Sequence, residues 1–284
     1  MPFTIFYMEI ITVKSEYFNP KDTLFCGQVF RFKQYKKGYL LISTDKICYI
    51  YSESGNTYIE TEYKDYFYNY FDLDRDYSKI YGFALKENID ILSKSATLGK
   101  GIRILNQNPV ETLFSFIVSQ NNNIPRIKGI IEKLCLSLGE KRSQFCDTYY
   151  TFPTIEKIAQ QDIEFFKSVG LGYRAEYIKR LATDIFSGLD VLNFNSLDTS
   201  SLKKQLLTIH GVGPKVADCV LLFGFHRSDS FPVDTWIEKV YRENFNGTLT
   251  DREKITCYFT EKFKENAGYF QQYLFYYKRS LENK

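Results

Sequence analysis

The sequence predicts an α+β protein: an N-terminal antiparallel sheet domain, residues 1–100, followed by a mostly helical body, residues 101–284. Three observations predict it. Apolar residues alternate with a period of two in the early part of the chain. From about Ile102 they recur with a period of 3.6. The links between the early runs are too short for helical crossovers, which leaves antiparallel pairing. The chain has 284 residues, is 44% hydrophobic and 25% charged, and carries 37 Lys+Arg against 34 Asp+Glu. That composition excludes a disordered chain and a strongly basic nucleic-acid-binding tail. It leaves room for a local basic surface, because net charge averages over the whole molecule.

Residues 1–13 are apolar but have no basic leader and carry Glu9, so they read as a strand rather than a signal peptide. Phe30 and Phe32 alternate with Arg31 and Lys33, and Ile47, Tyr49 and Tyr51 alternate with shorter or polar neighbours. Ser54-Gly55-Asn56 then reads as a turn into a further strand at 57–61. Asn108-Pro109-Val110-Glu111 is a helix start: a capping Asn, Pro at the first helical position and Glu at the third. Val110, Leu113, Phe114, Ile117 and Val118 form its apolar face. A second helix carries Ile124, Ile127, Ile130, Ile131 and Leu134 and ends at Gly139. Helices are predicted over 155–168, 175–186, 201–209, 214–225, 235–245 and 251–281.

Six cysteines, Cys26, Cys48, Cys135, Cys146, Cys219 and Cys257, include no C-x-x-C pair; the nearest two are eleven positions apart. With only His210 and His226 beside them, neither a zinc site nor a four-cysteine iron–sulfur loop is expected. Reduced, mostly buried thiols are expected instead. No stretch approaches the ~18 apolar residues of a membrane span. The absence of a targeting signal points to the cytoplasm, at the nucleoid if the cell is bacterial.

The most informative stretch runs from Leu206 to Cys219. A helix ends, His210-Gly211-Val212-Gly213 turns the chain, and Pro214 opens the next helix. The two glycines permit a tight backbone, and the free N–H groups of the following helix favour an anion. Gly211, Val212 and Gly213 are thus candidates for binding the phosphate of a nucleic-acid backbone, and an ordinary tight turn is the alternative. Lys215 lies in the first turn, where the positive helix end disfavours an ammonium. A fraction of neutral amine is what a nucleophilic lysine requires. An exposed or phosphate-contacting lysine is the plainer reading. Cys219 follows one turn later on the same face, where a small buried apolar side chain would also fit. Nineteen residues after Lys215, Phe231-Pro232-Val233-Asp234-Thr235-Trp236 places Asp234 as a helix N-cap. Its carboxylate could also stabilise a developing cation or accept a proton.

This stretch resembles the helix–hairpin–helix–Gly/Pro–Asp superfamily of DNA glycosylases, with the helix–hairpin–helix at 201–225. From about residue 20 to 278 the chain resembles the 8-oxoguanine DNA glycosylase family. Gly27-Gln28-Val29-Phe30-Arg31 is similar to the family's G-Q-x-F-R segment, and Tyr70-Phe71-Asp72-Leu73-Asp74 to its Y-F-x-L-D string. The run from Ser119 to Ile127 is similar to its triple-Asn segment. Gly170-Leu171-Gly172-Tyr173-Arg174-Ala175 is similar to its wedge loop, and the spacing of Lys215 and Asp234 also fits.

The resemblance implies roles residue by residue. Lys215 corresponds to the nucleophile that attacks C1′ and forms a Schiff base, and Asp234 to the catalytic carboxylate. Gly27 sits where a backbone carbonyl accepts the N7 hydrogen present in 8-oxoguanine and absent in guanine. Cys219 and Phe275 sit where two side chains sandwich the flipped base, and Gln271 where its Watson–Crick edge is read. Asn121, Arg126 and Arg174 match residues that meet the orphaned cytosine, and Tyr173 matches the wedge. His210 replaces a common Pro, and Trp236 replaces a phosphate-contacting His of animal members.

The reading is a bifunctional DNA glycosylase/AP lyase that flips and excises 8-oxoguanine from duplex DNA, preferably opposite cytosine. Its partner is double-stranded DNA, with no membrane, no metal and no cofactor, and a monomer is expected. A glycosylase for another damaged base, a non-catalytic DNA-binding module and a purely structural helical domain are the alternatives.

Overall fold

Alternating side chains pair into one antiparallel sheet of five strands: β1 (Glu9–Lys14), β2 (Phe32–Tyr35), β3 (Gly38–Ser43), β4 (Lys46–Glu53) and β5 (Asn56–Thr61). In the computed structural model, which describes residues 7–282, the strand order is β1-β5-β4-β3-β2. Residues 1–6 of the expected first strand lie outside the described residues. Ser54 and Gly55 link β4 to β5 with φ of +50° and +76°. Two positive φ values give the turn the twist that matches a hairpin's strands.

Both faces of the sheet are buried. Cys48 and Ile50 pack on one side with Leu41, Ile59, Phe67 and Tyr70. Ile47 and Tyr49 pack on the other with Leu40 and Tyr149. The second face is covered by a hairpin of β6 (Lys141–Gln144) and β7 (Asp147–Tyr150), a segment without an assignment from the sequence. Each of its strands has four residues and is mostly polar or half-buried, too short for period-2 alternation to stand out.

The helices are α1 (Pro20–Phe25), α2 (Lys64–Tyr70), α3 (Tyr77–Lys86), α4 (Asp90–Leu98), α5 (Pro109–Ser119), α6 (Ile124–Leu138), α7 (Ile155–Ala159) and α8 (Ile163–Ser168). They continue as α9 (Arg174–Phe186), α10 (Thr199–Thr208), α11 (Pro214–Phe223), α12 (Thr235–Asn244), α13 (Arg252–Phe263) and α14 (Ala267–Glu282). Three points correct the sequence reading. Residues 64–70, 77–86 and 90–98 are helical rather than β: Tyr77, Ile80 and Ala84 share one buried helical face, and the Asp76 carboxylate caps α3 by accepting from Ser78 N at 3.0 Å. The stretch 155–168 is split by an Asp162 cap that accepts from Phe165 N. The long C-terminal helix breaks at Lys264 (φ +50°), and α14 is re-aimed as Gly268 N donates to Ser228 O at 2.7 Å.

Asn108 caps α5 as expected, accepting from Val110 N and Glu111 N at 3.0 Å each. Glu111 does something else. It pairs with Arg31 Nη1 at 3.0 Å and accepts from Thr44 N at 2.6 Å. Arg31 also donates to Thr44 O at 3.1 Å and to Tyr150 O at 2.6 Å. One buried pair thereby clamps the sheet, the β6–β7 hairpin and the helical body. Removing one partner leaves the other charge buried and unpaired. Glu111→Ala is expected to lower unfolding free energy by about 3–5 kcal/mol, measured by chemical denaturation.

Candidate active site

The turn between α10 and α11 is built by its glycines. Gly211 has φ +85°, and a Cβ there would lie 2.4 Å from Tyr177 Cγ, so no other residue fits. Gln120 Nε2 donates to Gly211 O at 2.9 Å and ties the turn to the end of α5. Val212 points into the core. Gly213 is the N-cap of α11, Pro214 is its first residue, and no side chain caps this end. The first-turn N–H groups are left for an external acceptor.

Lys215 follows, with Nζ 5.3 Å from the centre of the Phe116 ring. Cys219 is one turn on and buried, and burial pushes its thiol up to about 11. It therefore remains an uncharged S–H wall at neutral pH. The chain returns at Phe231–Val233, all buried, and Asp234 caps α12: Oδ1 accepts from Trp236 N and Ile237 N at 3.0 Å each. Burial raises the Asp234 carboxyl above its ordinary value, opposed by the Ile237 N–H, the Lys215 charge and the Trp236 N–H.

These groups converge. Gly27, Lys215, Cys219, Asp234, Gln271 and Phe275 line one inner cavity of about 50 Å³, which adjoins a cleft of about 770 Å³. The six come from four separate segments of the chain. Gly27 adopts φ +89°, and a Cβ on it would lie 3.1 Å from Phe275 Cε1. The carbonyls beside it are taken: Gln272 Nε2 donates to Cys26 O at 2.6 Å and Gln107 Nε2 to Gln28 O at 2.8 Å. Among the described residues none donates to Gly27 O. Gln271 Nε2 donates to Pro232 O at 3.1 Å, while its buried Oε1 has no partner. The residues that line the cavity thus include an aromatic ring, a thiol and two whose oxygens, Gly27 O and Gln271 Oε1, are unfilled.

A second groove, of about 610 Å³, is shared by Asn121, Tyr173, Gly213, Lys215, Asp234 and Trp236. Asn121 is exposed with φ +46°, a conformation Asn tolerates better than most residues. Tyr173 is 52% exposed, unlike a core tyrosine. Arg126 is exposed in the first turn of α6, with Nη2 3.5 Å from Gly170 O. Arg174 is placed differently from its expected neighbours. It is buried and donates to Gln120 O at 2.8 Å, Asn121 O at 2.9 Å and Leu171 O at 3.3 Å. Most of its donors hold the loop together. Phe116, Pro232 and Gln272 belong to the inner cavity and were not singled out from the sequence. Pro232 stood in a quoted string; the other two carry no local signal.

The comparisons with known proteins agree along the chain. Residues 10–113 match the family model described as 8-oxoguanine DNA glycosylase, N-terminal domain. Residues 114–265 match the model described as HhH-GPD superfamily base excision DNA repair protein. A protein of Methanothermobacter thermautotrophicus named "Probable N-glycosylase/DNA lyase" is 30% identical over 229 residues, covering 74% of this chain and 72% of that protein. The N-glycosylase/DNA lyase of Saccharomyces cerevisiae is 37% identical over 160 residues, covering 51% of this chain and 42% of that protein. The crystal structure of Clostridium acetobutylicum 8-oxoguanine glycosylase/lyase, in complex with double-stranded DNA containing cytosine opposite 8-oxoguanine, superimposes with a TM-score of 0.91. It is 35% identical and covers 97% of this chain and 98% of that one.

Proposed function

The chain belongs to the 8-oxoguanine DNA glycosylase family, within the helix–hairpin–helix–Gly/Pro–Asp superfamily of base excision DNA repair proteins, and we propose on that premise that it is a bifunctional glycosylase/AP lyase. It excises 8-oxoguanine from duplex DNA with cytosine opposite and so initiates base excision repair. The observation that carries this reading is the single cavity in which an amine, a carboxylate and two unfilled acceptors meet. No helix among the described residues is long and apolar enough to cross a membrane. The proposed place of action is the cytoplasm, at the nucleoid if the cell is bacterial.

The proposed chemistry follows from these positions. Reaching C1′ requires the damaged nucleotide to leave the stack, at a cost of a few kcal/mol. Tyr173, an exposed aromatic beside the groove, fills the vacated space by stacking. Asn121 and Arg126 offer donors to the orphaned cytosine, and Gly211, Val212 and Gly213 bind phosphate through backbone N–H groups. Arg174 serves mainly by holding the backbone of Gln120 and Asn121 in place.

The inner cavity has room for only a few waters, so seating a base requires its walls to move. Cys219 and Phe275 then cover the two faces of the base. Gly27 O accepts the N7 hydrogen that guanine lacks, and Gln271 Oε1 accepts from the Watson–Crick edge. Leaving a buried acceptor unpaired against guanine is worth about 1–3 kcal/mol, so the extrusion step and cavity fit add to selectivity. Lys215 Nζ, as the free amine, bonds to C1′ as the C1′–N9 bond breaks and the base departs. Asp234 stabilises the positive charge that develops on the sugar. The amine adduct opens to an imine, loss of a C2′ proton expels the 3′ phosphate, and the strand is nicked 3′ to the lesion.

The test is borohydride trapping. A duplex with one 8-oxoguanine opposite cytosine is expected to give a covalent adduct on a denaturing gel, and an undamaged duplex none. No adduct with tight lesion binding would refute the imine. Alkali would then separate a monofunctional glycosylase from a DNA-binding module, since only the former leaves an abasic site. Gly27→Ala is expected to cost about 1–2 kcal/mol of stability through its left-handed backbone. It should also slow 8-oxoguanine excision, because the Phe275 ring must shift; thermal melts and single-turnover rates check both.

A further inference from the structure

The hairpin and the wedge loop belong to separate segments of the chain, yet one side chain touches both. Tyr177 is half-buried on α9, one turn beyond Tyr173. Its ring packs against the Tyr173 ring edge to face, with centres 5.9 Å apart and planes at 80°. It meets the His210 ring in the same way, at 5.1 Å and 78°. The Gly211 backbone rests on the same tyrosine: a Cβ on Gly211 would lie 2.4 Å from Tyr177 Cγ. A second link runs beside the first. Gln120 Nε2 donates to Gly211 O at 2.9 Å, and Gln120 O accepts from Arg174 Nε at 2.8 Å. The Arg174 guanidinium carbon lies 4.5 Å from the centre of the Tyr173 ring. Tyr173 is exposed, yet two of its ring contacts lead back to the hairpin, one through Tyr177 and one through Arg174 and Gln120. Holding an exposed ring in one rotamer before it enters DNA lowers the ordering cost of insertion.

Resting on the function proposed above, we infer that Tyr177 is a positioning residue, which sets the Tyr173 wedge from the phosphate-binding hairpin. A phosphate held by the N–H groups of the hairpin fixes the Gly211 backbone. Gly211 and His210 fix the Tyr177 ring, and Tyr177 fixes the Tyr173 ring. Tyr177 itself acts only through Tyr173. The hold on the strand and the wedge that fills the vacated stack then work as one unit, and the wedge is oriented for insertion where the hairpin has engaged the backbone.

A double-mutant cycle tests this. Single-turnover excision at saturating protein is measured on a duplex with one 8-oxoguanine opposite cytosine, for wild type, Tyr177→Leu, Tyr173→Ala and the double variant. Tyr177→Leu removes the ring and is expected to slow excision roughly twofold to tenfold, the range that an aromatic pair supplies. In the Tyr173→Ala background the same substitution should change nothing, because the residue it positions is gone. Tyr177→Phe keeps the ring and is expected to rescue the rate. A merely structural role gives a different pattern, since loss of correctly folded protein lowers the rate by the same factor in both backgrounds. Equal factors in the two backgrounds would overturn the inference, as would a Tyr177→Leu rate equal to that of wild type. A Tyr173→Ala variant as fast as wild type would remove the wedge and overturn it too. Thermal melts show whether Tyr177→Leu is folded; Tyr177→Met, with its more adaptable side chain, replaces it in the cycle if it is not. Wild type is trapped with borohydride in parallel. A wild type that forms no adduct fails the glycosylase reading itself, whereas a trapped wild type with equal factors in the two backgrounds fails only this inference.

Discussion

A Lys215→Gln protein is expected to bind a duplex carrying 8-oxoguanine and to leave it intact. Borohydride adduct and strand nicking should fall by about a thousandfold or more, ~4 kcal/mol in activation free energy, because the only amine that lines the inner cavity among the described residues is removed. The fold should be unaffected. Lys215 is at the second position of α11, half-buried, and its side chain caps nothing. Gln keeps the first half of the stem, and it places no cation at a helix end that disfavours one. Lesion affinity should therefore hold within a few fold, measured by fluorescence anisotropy on the duplex used for trapping. An active protein whose Lys215→Gln variant nicks DNA equally fast would sink the imine mechanism.

The parts of this site that were legible in the sequence are those set by local chemistry. Pro214 after Gly213, and Asp234 before Thr235, are start signals whose meaning lies within four residues, and both start helices where expected. The exposed Tyr173 and the cavity positions of Gly27, Gln271 and Phe275 were not readable in that way. They came from resemblance, because no periodicity links segments more than two hundred residues apart. The placements that the sequence does not show share that cause. Arg174 turns inward because the carbonyls of Gln120, Asn121 and Leu171 need donors, a demand created only by the folded loop. Glu111 has the spacing of a capping box, yet it serves Arg31 and Thr44, both brought to it by the sheet.

Asp234 serves fold and chemistry with the same carboxylate, and two substitutions separate the roles. Asp234→Asn keeps an oxygen able to accept from Trp236 N and Ile237 N, so α12 stays capped and stability should change by no more than about 0.5 kcal/mol. Asp234→Ala loses the cap and should cost about 0.5–2 kcal/mol. Both lose the negative charge beside Lys215, and both should slow base release by about 10²–10⁴-fold, a range typical of a positioned carboxylate. The pH profile adds a third reading. Burial raises the Asp234 carboxyl above the ordinary value of about 4, and the ionised form is the active one. Excision should therefore fall as pH drops through that raised value, so the acid limb lies above the position of an exposed carboxylate. Subsaturating protein makes the profile report the free enzyme. An acid limb at or below the ordinary value would remove Asp234 from the catalytic step. Equal rates for Asp234→Asn and wild type would leave the residue only its cap. The expected outcome is two equally slow variants of unequal stability, in which the charge carries catalysis and the oxygen's hydrogen bonds carry the helix.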